Sequence, residues 1–87
     1  MESVAGLDVG VKKSALCVVT RDASSTRLLR RHRTATDPSS IGSWLASQGV
    51  VRVGLEAGAQ SSWLAHELEH RGFEVTVMEA RRQRAFG

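Results

Sequence analysis

The chain has 87 residues, enough for one small domain. Hydrophobic residues make up 41% and charged residues 24%, which places it among globular proteins rather than disordered or fibrous ones. The net charge of +3 comes from arginine, in one run holding Arg27, Arg30, Arg31 and Arg33 and another holding Arg81, Arg82 and Arg84. Such clusters suit a polyanionic partner, and the plainer alternative is a solvated face. No apolar run approaches the ~20 residues of a membrane span, and Asp8 with Lys12-Lys13 interrupts any signal-peptide core. The single cysteine, Cys17, excludes an internal disulfide and reads as core filling among Leu16, Val18 and Val19. A reducing cytoplasm is the expected location.

Val4–Leu7 reads as a short buried strand ending in Asp8, with Gly10 allowing a tight turn. Ser14–Thr20 reads as a second strand paired back by a hairpin, and residues 21–25 as a turn. Thr26–Thr34 reads as a third strand whose arginines suit an exposed edge. Asp37-Pro38 is a helix start, because Asp is a favoured N-cap and Pro needs no amide partner in the first turn. Ile41, Trp44 and Leu45 form its apolar stripe and Gly49 ends it. Val50–Leu55 reads as a fourth strand covered on both faces, ending in Glu56. A second helix begins at Ser61 or Ser62 and closes at Gly72, with Trp44 and Trp63 both expected in the core. Phe73–Met78 alternates as a fifth strand, and the basic tail from Ala80 begins another helix.

Gly6-Leu7-Asp8 and Gly54-Leu55-Glu56 echo each other. An acid just past a buried strand lies at the sheet edge where open α/β folds bind ligands. If the two strands are neighbours, Asp8 and Glu56 face one cleft and offer the oxygen ligands that Mg²⁺ or Mn²⁺ takes. Taken singly, Asp8 also suits a turn and Glu56 a helix start. Lys12, Lys13 and Ser14 sit in the hairpin beside Asp8, as phosphate contacts or as solvated turn residues. His32, His66 and His70 form no metal-binding pattern, and Glu79 suits a helix N-terminus.

The order β-β-β-α-β-α-β is that of a mixed-sheet α/β, ribonuclease H-like (RuvC-like) fold. Val4 to Gly10, Gly54 to Gly58, Ser62-Trp63-Leu64, Leu68, Gly72 and the stretch from Glu79 to Ala85 together resemble the N-terminal catalytic domain of the DEDD-type transposases of the insertion sequence 110 family. The resemblance spans nearly the whole chain and is weakest over residues 21–45. It implies that residues 1–87 are the N-terminal part of a RuvC-like transposase domain, with the family's first two catalytic acids at Asp8 and Glu56. It also implies DNA as substrate, a structured guide RNA as partner, Mg²⁺ as cofactor and an oligomeric assembly. The family's third and fourth acids lie in a Lys-Thr-Asp-x-x-Asp-Ala stretch beyond Gly87. The expected fold is therefore incomplete at its C-terminus. The chain alone is expected to be inactive, with apolar sheet surface bare near Val53, Leu55, Val75 and Val77. Two alternatives remain: a non-catalytic nucleic-acid-binding or assembly remnant, and an actin-like kinase or ATPase lobe whose Asp8-Val9-Gly10 hairpin grips phosphate.

Overall fold

The computed structural model describes residues 2–22 and 24–79. Its elements follow the expected order: β1 (Glu2–Val9), β2 (Lys13–Arg21), β3 (Thr26–Ala35), α1 (Pro38–Ser47), β4 (Arg52–Glu56), α2 (Ser61–His70) and β5 (Glu74–Met78). The strands form one sheet in the order β3-β2-β1-β4-β5. β1 and β2 pair antiparallel, as do β2 and β3, while β4 lies parallel to both β1 and β5. β3 is the exposed edge that its charge pattern predicts. The tail with Arg81, Arg82 and Arg84 lies outside the described residues. Among the described residues no helix is long and apolar enough to cross a membrane.

Strand alternation sends successive side chains to opposite faces. On one face, Ala5, Leu7, Leu16, Val18, Val53 and Leu55 pack against Ile41 and Leu45 of α1 and Leu64 and Leu68 of α2. None of these ten is more than 5% exposed. In α1, Asp37 accepts hydrogen bonds from the Ser40 backbone amide at 2.9 Å and the Ser40 hydroxyl at 3.0 Å, with Pro38 opening the first turn. Gly49 (φ 71°) and Gly72 (φ 98°) supply the left-handed residues that end the two helices. In α2 the cap position falls on Gln60, whose side chain makes no capping bond. Ser61 instead exchanges two 2.9 Å hydrogen bonds with the backbone of Gly58.

Both helices pack on one face, and this corrects four expectations. β4 is covered on one side only: Val53 and Leu55 are buried, whereas Arg52 and Glu56 on the other face are exposed and Gly54 is half-buried. The bare apolar surface is therefore not at Val53 and Leu55. It is Val77, 42% exposed on β5 as expected, with Val75 partly buried, and the opposite face, which carries Val4, Gly6, Ala15, Cys17 and Val19, all half-buried. Cys17 is half-buried on that face, because Leu16 and Val18 take the two inward positions flanking it. Trp63 is also not core but 48% exposed, since Leu64, Ala65 and Leu68 occupy the inward stripe of α2. Trp44 does pack against the core, and its outer side stacks on His32 at a ring separation of 4.8 Å.

Leu55 lies at the centre of the single-sided core, so Leu55→Ala should cost about 2–5 kcal/mol by the usual transfer and cavity terms. Urea denaturation should show the loss as a lower midpoint with an unchanged slope. The Asp37 carboxyl titrates below the ordinary value of 3.8, chiefly because the Ser40 backbone amide bonds its ionised form, helped by the Ser40 hydroxyl. A depressed folded-state value stabilises the fold above 3.8 and loses that effect as pH falls further. The thermal midpoints of the native chain and Asp37→Ala should therefore differ near neutrality and converge below pH 3.8.

Candidate functional site

Leu7 stands opposite Leu55 in the parallel β1–β4 pair. Asp8 and Glu56 are each one residue further on, so they sit side by side on the open face. Neighbouring strands lie about 4.8 Å apart, a spacing that brings two adjacent carboxylates within reach of one cation. Asp8 faces Ala15, and Ala15 faces Arg33, while Glu56 faces Met78. One row thus runs Arg33–Ala15–Asp8–Glu56–Met78 across the sheet. Two residues earlier a parallel row runs Arg31–Cys17–Gly6–Gly54–Thr76.

Side chains of these rows bound an open cleft of about 750 Å³. Its floor is low because Gly6 and Gly54 are register partners and carry no side chain. The repeated glycine two residues before each acid therefore does a second job, clearing the approach to both carboxylates. Asp8 and Glu56 also line a smaller hollow with Gly10, Gly58 and Gln60 at the sheet's edge. Both acids are exposed, and among the described residues neither takes part in an ion pair or a side-chain hydrogen bond. They remain available to a ligand.

The arginine run on β3 does not act as one patch. A bulge between Val18 and Val19 leaves Leu29 without a register partner. Beyond it, Arg31 and Arg33 fall on the open face and line the cleft, while Arg30 and Arg27 stand opposite the inward-facing Val18 and Thr20. Lys13 shares the open face and lines a third hollow, of about 230 Å³, with Asp8 and Arg33. Lys12 lies exposed in the hairpin. His66 and His70 form an exposed edge-to-face pair, and no group of three or more His, Cys, Asp or Glu gathers among the described residues. The cleft residues missed from sequence are Ala15, Cys17 and Met78. Strand parity was the available signal, once Leu16 and Val18 are assigned inward.

The hairpin beside Asp8 is tied down. Ser14, 1% exposed, hydrogen-bonds the Thr36 hydroxyl at 2.7 Å. Thr36 donates its hydroxyl to the Gly10 carbonyl at 2.8 Å and its amide to the Lys12 carbonyl at 2.9 Å. Ser14 is thus a structural residue, not a phosphate contact.

No protein-family model matches the chain, and no curated protein matches it. Solved structures do. The Fowlpox virus resolvase in complex with Holliday junction DNA is 17% identical, with a TM-score of 0.73 over 88% of this chain and 60% of the resolvase. T. thermophilus RuvC in complex with a Holliday junction substrate is 15% identical, with a TM-score of 0.70 over 98% of this chain and 69% of that one. A Ppx/GppA family member from Aquifex aeolicus is 11% identical, with a TM-score of 0.60 over 94% of this chain but 36% of its own length. The fold is the RuvC-like, ribonuclease H-like mixed sheet. The chain spans 60% and 69% of the lengths of the two resolvases described.

The two kinds of glycine near the acids should respond oppositely to a methyl group. A Cβ on Gly54 would meet the Met78 side chain at an ordinary 3.5 Å, so Gly54→Ala should be neutral or raise stability by up to about 1 kcal/mol. A Cβ on Gly10 would run into the Lys13 carbonyl, which is backbone and cannot swing aside. Gly10→Ala should lower the thermal midpoint and shift the amide resonances of residues 8–14 in NMR spectra.

Proposed function

We propose that this chain supplies the first two carboxylates of a divalent-metal-dependent DNA strand cleavage and transfer site. The observation that carries the reading is the register of β1 with β4, which sets Asp8 beside Glu56 on the rim of an open cleft. The donor set fits Mg²⁺ or Mn²⁺, because both groups are hard oxygen donors, exposed and unpaired among the described residues. Asp8 and Glu56 would hold the ion, which supplies charge stabilisation for displacement at a phosphodiester. Around it this chain's own residues divide the work. Gly6 and Gly54 let the strand approach the acids closely, and Arg31 and Arg33 neutralise it from the β3 side.

DNA is the substrate this reading favours, in keeping with resolvases of the same fold that are bound to Holliday junctions. Within that fold, the assignment to a transposase of the insertion sequence 110 type rests on the sequence resemblance around Asp8, Glu56 and Glu79. A guide RNA partner and an oligomeric assembly follow from the same resemblance. The Ppx/GppA likeness sustains a second reading, a phosphate-handling lobe built on the Asp8-Val9-Gly10 hairpin. Glu56 in register with Asp8 favours the first.

Two carboxylates alone should bind Mg²⁺ weakly, in roughly the millimolar range, since this ion sheds its water reluctantly and relies on substrate phosphates for further ligands. NMR titration with Mg²⁺ should shift resonances of Asp8, Glu56 and their immediate neighbours and leave α1 unchanged. Asp8→Asn should abolish the response. Shifts centred on His66 and His70 would refute the assignment.

A further inference from the structure

Beside Asp8, on the side away from Glu56, lies the hollow lined by Lys13 and Arg33 with Gly10 and Ala15. We infer that Lys13 and Arg33 form a phosphate subsite that seats a phosphodiester of a nucleic-acid strand next to the carboxylate pair. The inference rests on the proposed function and deepens it by naming where the strand is held.

Lys13 faces Ala35 and Arg33 faces Ala15, so the two cations are diagonal neighbours across the β2–β3 pair. Diagonal partners stand roughly 7–8 Å apart, within reach of long side chains, so both can converge on one anion. Among the described residues neither has an ion pair, although a carboxylate lines the same hollow. Two uncompensated cations repel each other, and an anion between them relieves that repulsion. A phosphate is also the species that Arg and Lys recognise together, Arg through its planar fork and Lys as a point charge.

The surrounding backbone is prepared for this. The Ser14–Thr36–Gly10 hydrogen bonds and the Thr36 amide bond to the Lys12 carbonyl hold the hairpin against the end of β3. Lys13 and Arg33 therefore stand on strands fixed relative to each other and to Asp8. Ala15 between Arg33 and Asp8 leaves the path between them unobstructed.

A strand fits better than a free phosphate. Arg33 also lines the large open cleft, and Arg31 continues the cationic line two residues along β3. Two strand residues span about 6.8 Å, close to the step between successive phosphates of an extended single strand.

The test is binding of a labelled single-stranded oligonucleotide to the full chain, followed by fluorescence anisotropy in a metal-free chelating buffer. Lys13→Gln with Arg33→Gln should weaken binding about tenfold and reduce the slope of log affinity against log salt by about 0.7 for the lost phosphate. Arg27→Gln with Arg30→Gln, on the same strand but the other face, should weaken it less than threefold. Unchanged thermal midpoints in both double variants confirm that folding is intact. Equal losses in the two pairs would overturn the subsite, since charge alone would then explain binding. Tripolyphosphate displacing the oligonucleotide at a lower phosphate concentration than unlabelled oligonucleotide would overturn the strand assignment. Because no metal is present, these outcomes are independent of the Mg²⁺ titration: the subsite stands if Asp8 and Glu56 fail to respond to Mg²⁺, and falls even if they do respond.

Discussion

Everything functional in this structure depends on the parallel pairing of β1 with β4, and that pairing depends on burial of Leu7 and Leu55. The two leucines are register partners, 5% and 0% exposed, beneath the two helices. Because side chains alternate, burying residue 7 on one face commits residue 8 to the other, and the same holds for 55 and 56. A slip of one residue would send one acid into the apolar core, where an unpaired carboxylate is expensive. The hydrophobic core therefore sets the acid register without a direct bond between the carboxylates. The placement of the carboxylate pair is a by-product of where apolar surface goes.

The same rule explains what the sequence does and does not make legible. Element order, the edge position of β3 and the Asp37 cap follow from local patterns: apolar runs, charged runs, Asp-Pro, and Gly at helix ends; the adjacency of Asp8 to Glu56 follows only with the chain order that makes β1 and β4 neighbours. Which face the helices cover does not. An apolar run such as Val50 to Leu55 satisfies a strand buried on both sides as well as one whose outer position is filled by Gly54. Cys17 and Trp63 fall outside the core for the same reason: an apolar side chain is buried only where the period of its strand or helix turns it inward. Reading Gly6 and Gly54 as members of an outward row would have revealed the cleft. The bulge at Leu29, which moves Arg27 from the face of Arg31 and Arg33 to that of Arg30, has no clear signature in that run of exposed residues.

The open face also shows how charge is arranged without cancelling. Asp8 and Glu56 sit at the sheet's centre, Arg31 and Arg33 at its edge, and small residues lie between them. Direct Arg–carboxylate contact would satisfy both partners and close the site, as the exposed pair Arg52 and Glu74 does at 3.6 Å. Placing Ala15 and Cys17 in the intervening strand holds the opposite charges apart by two strand spacings, about 10 Å. Each sign then keeps an unspent demand for a counter-ion. In the function proposed above, a phosphodiester with its metal would supply both, a negative group toward the arginine side and a positive ion toward the acids.

This separation requires rigidity, because flexible long side chains would otherwise collapse onto the nearest carboxylate. The Ser14–Thr36 hydrogen bond supplies part of it, at a position where the core offers no large apolar side chain. Losing the Thr36 hydroxyl would leave the buried Ser14 hydroxyl without its partner, a penalty of about 1–3 kcal/mol concentrated at the base of the hairpin, whereas without the Ser14 hydroxyl Thr36 still bonds the Gly10 carbonyl. Removing both, as in Ser14→Ala with Thr36→Val, leaves no orphan between them, but it also releases the Gly10 carbonyl that Thr36 holds. Stability would then partly recover while the hairpin carrying Lys13 loosened. The double replacement thus separates two roles that a single one confounds: holding the fold together, and holding a cation at a set distance from Asp8.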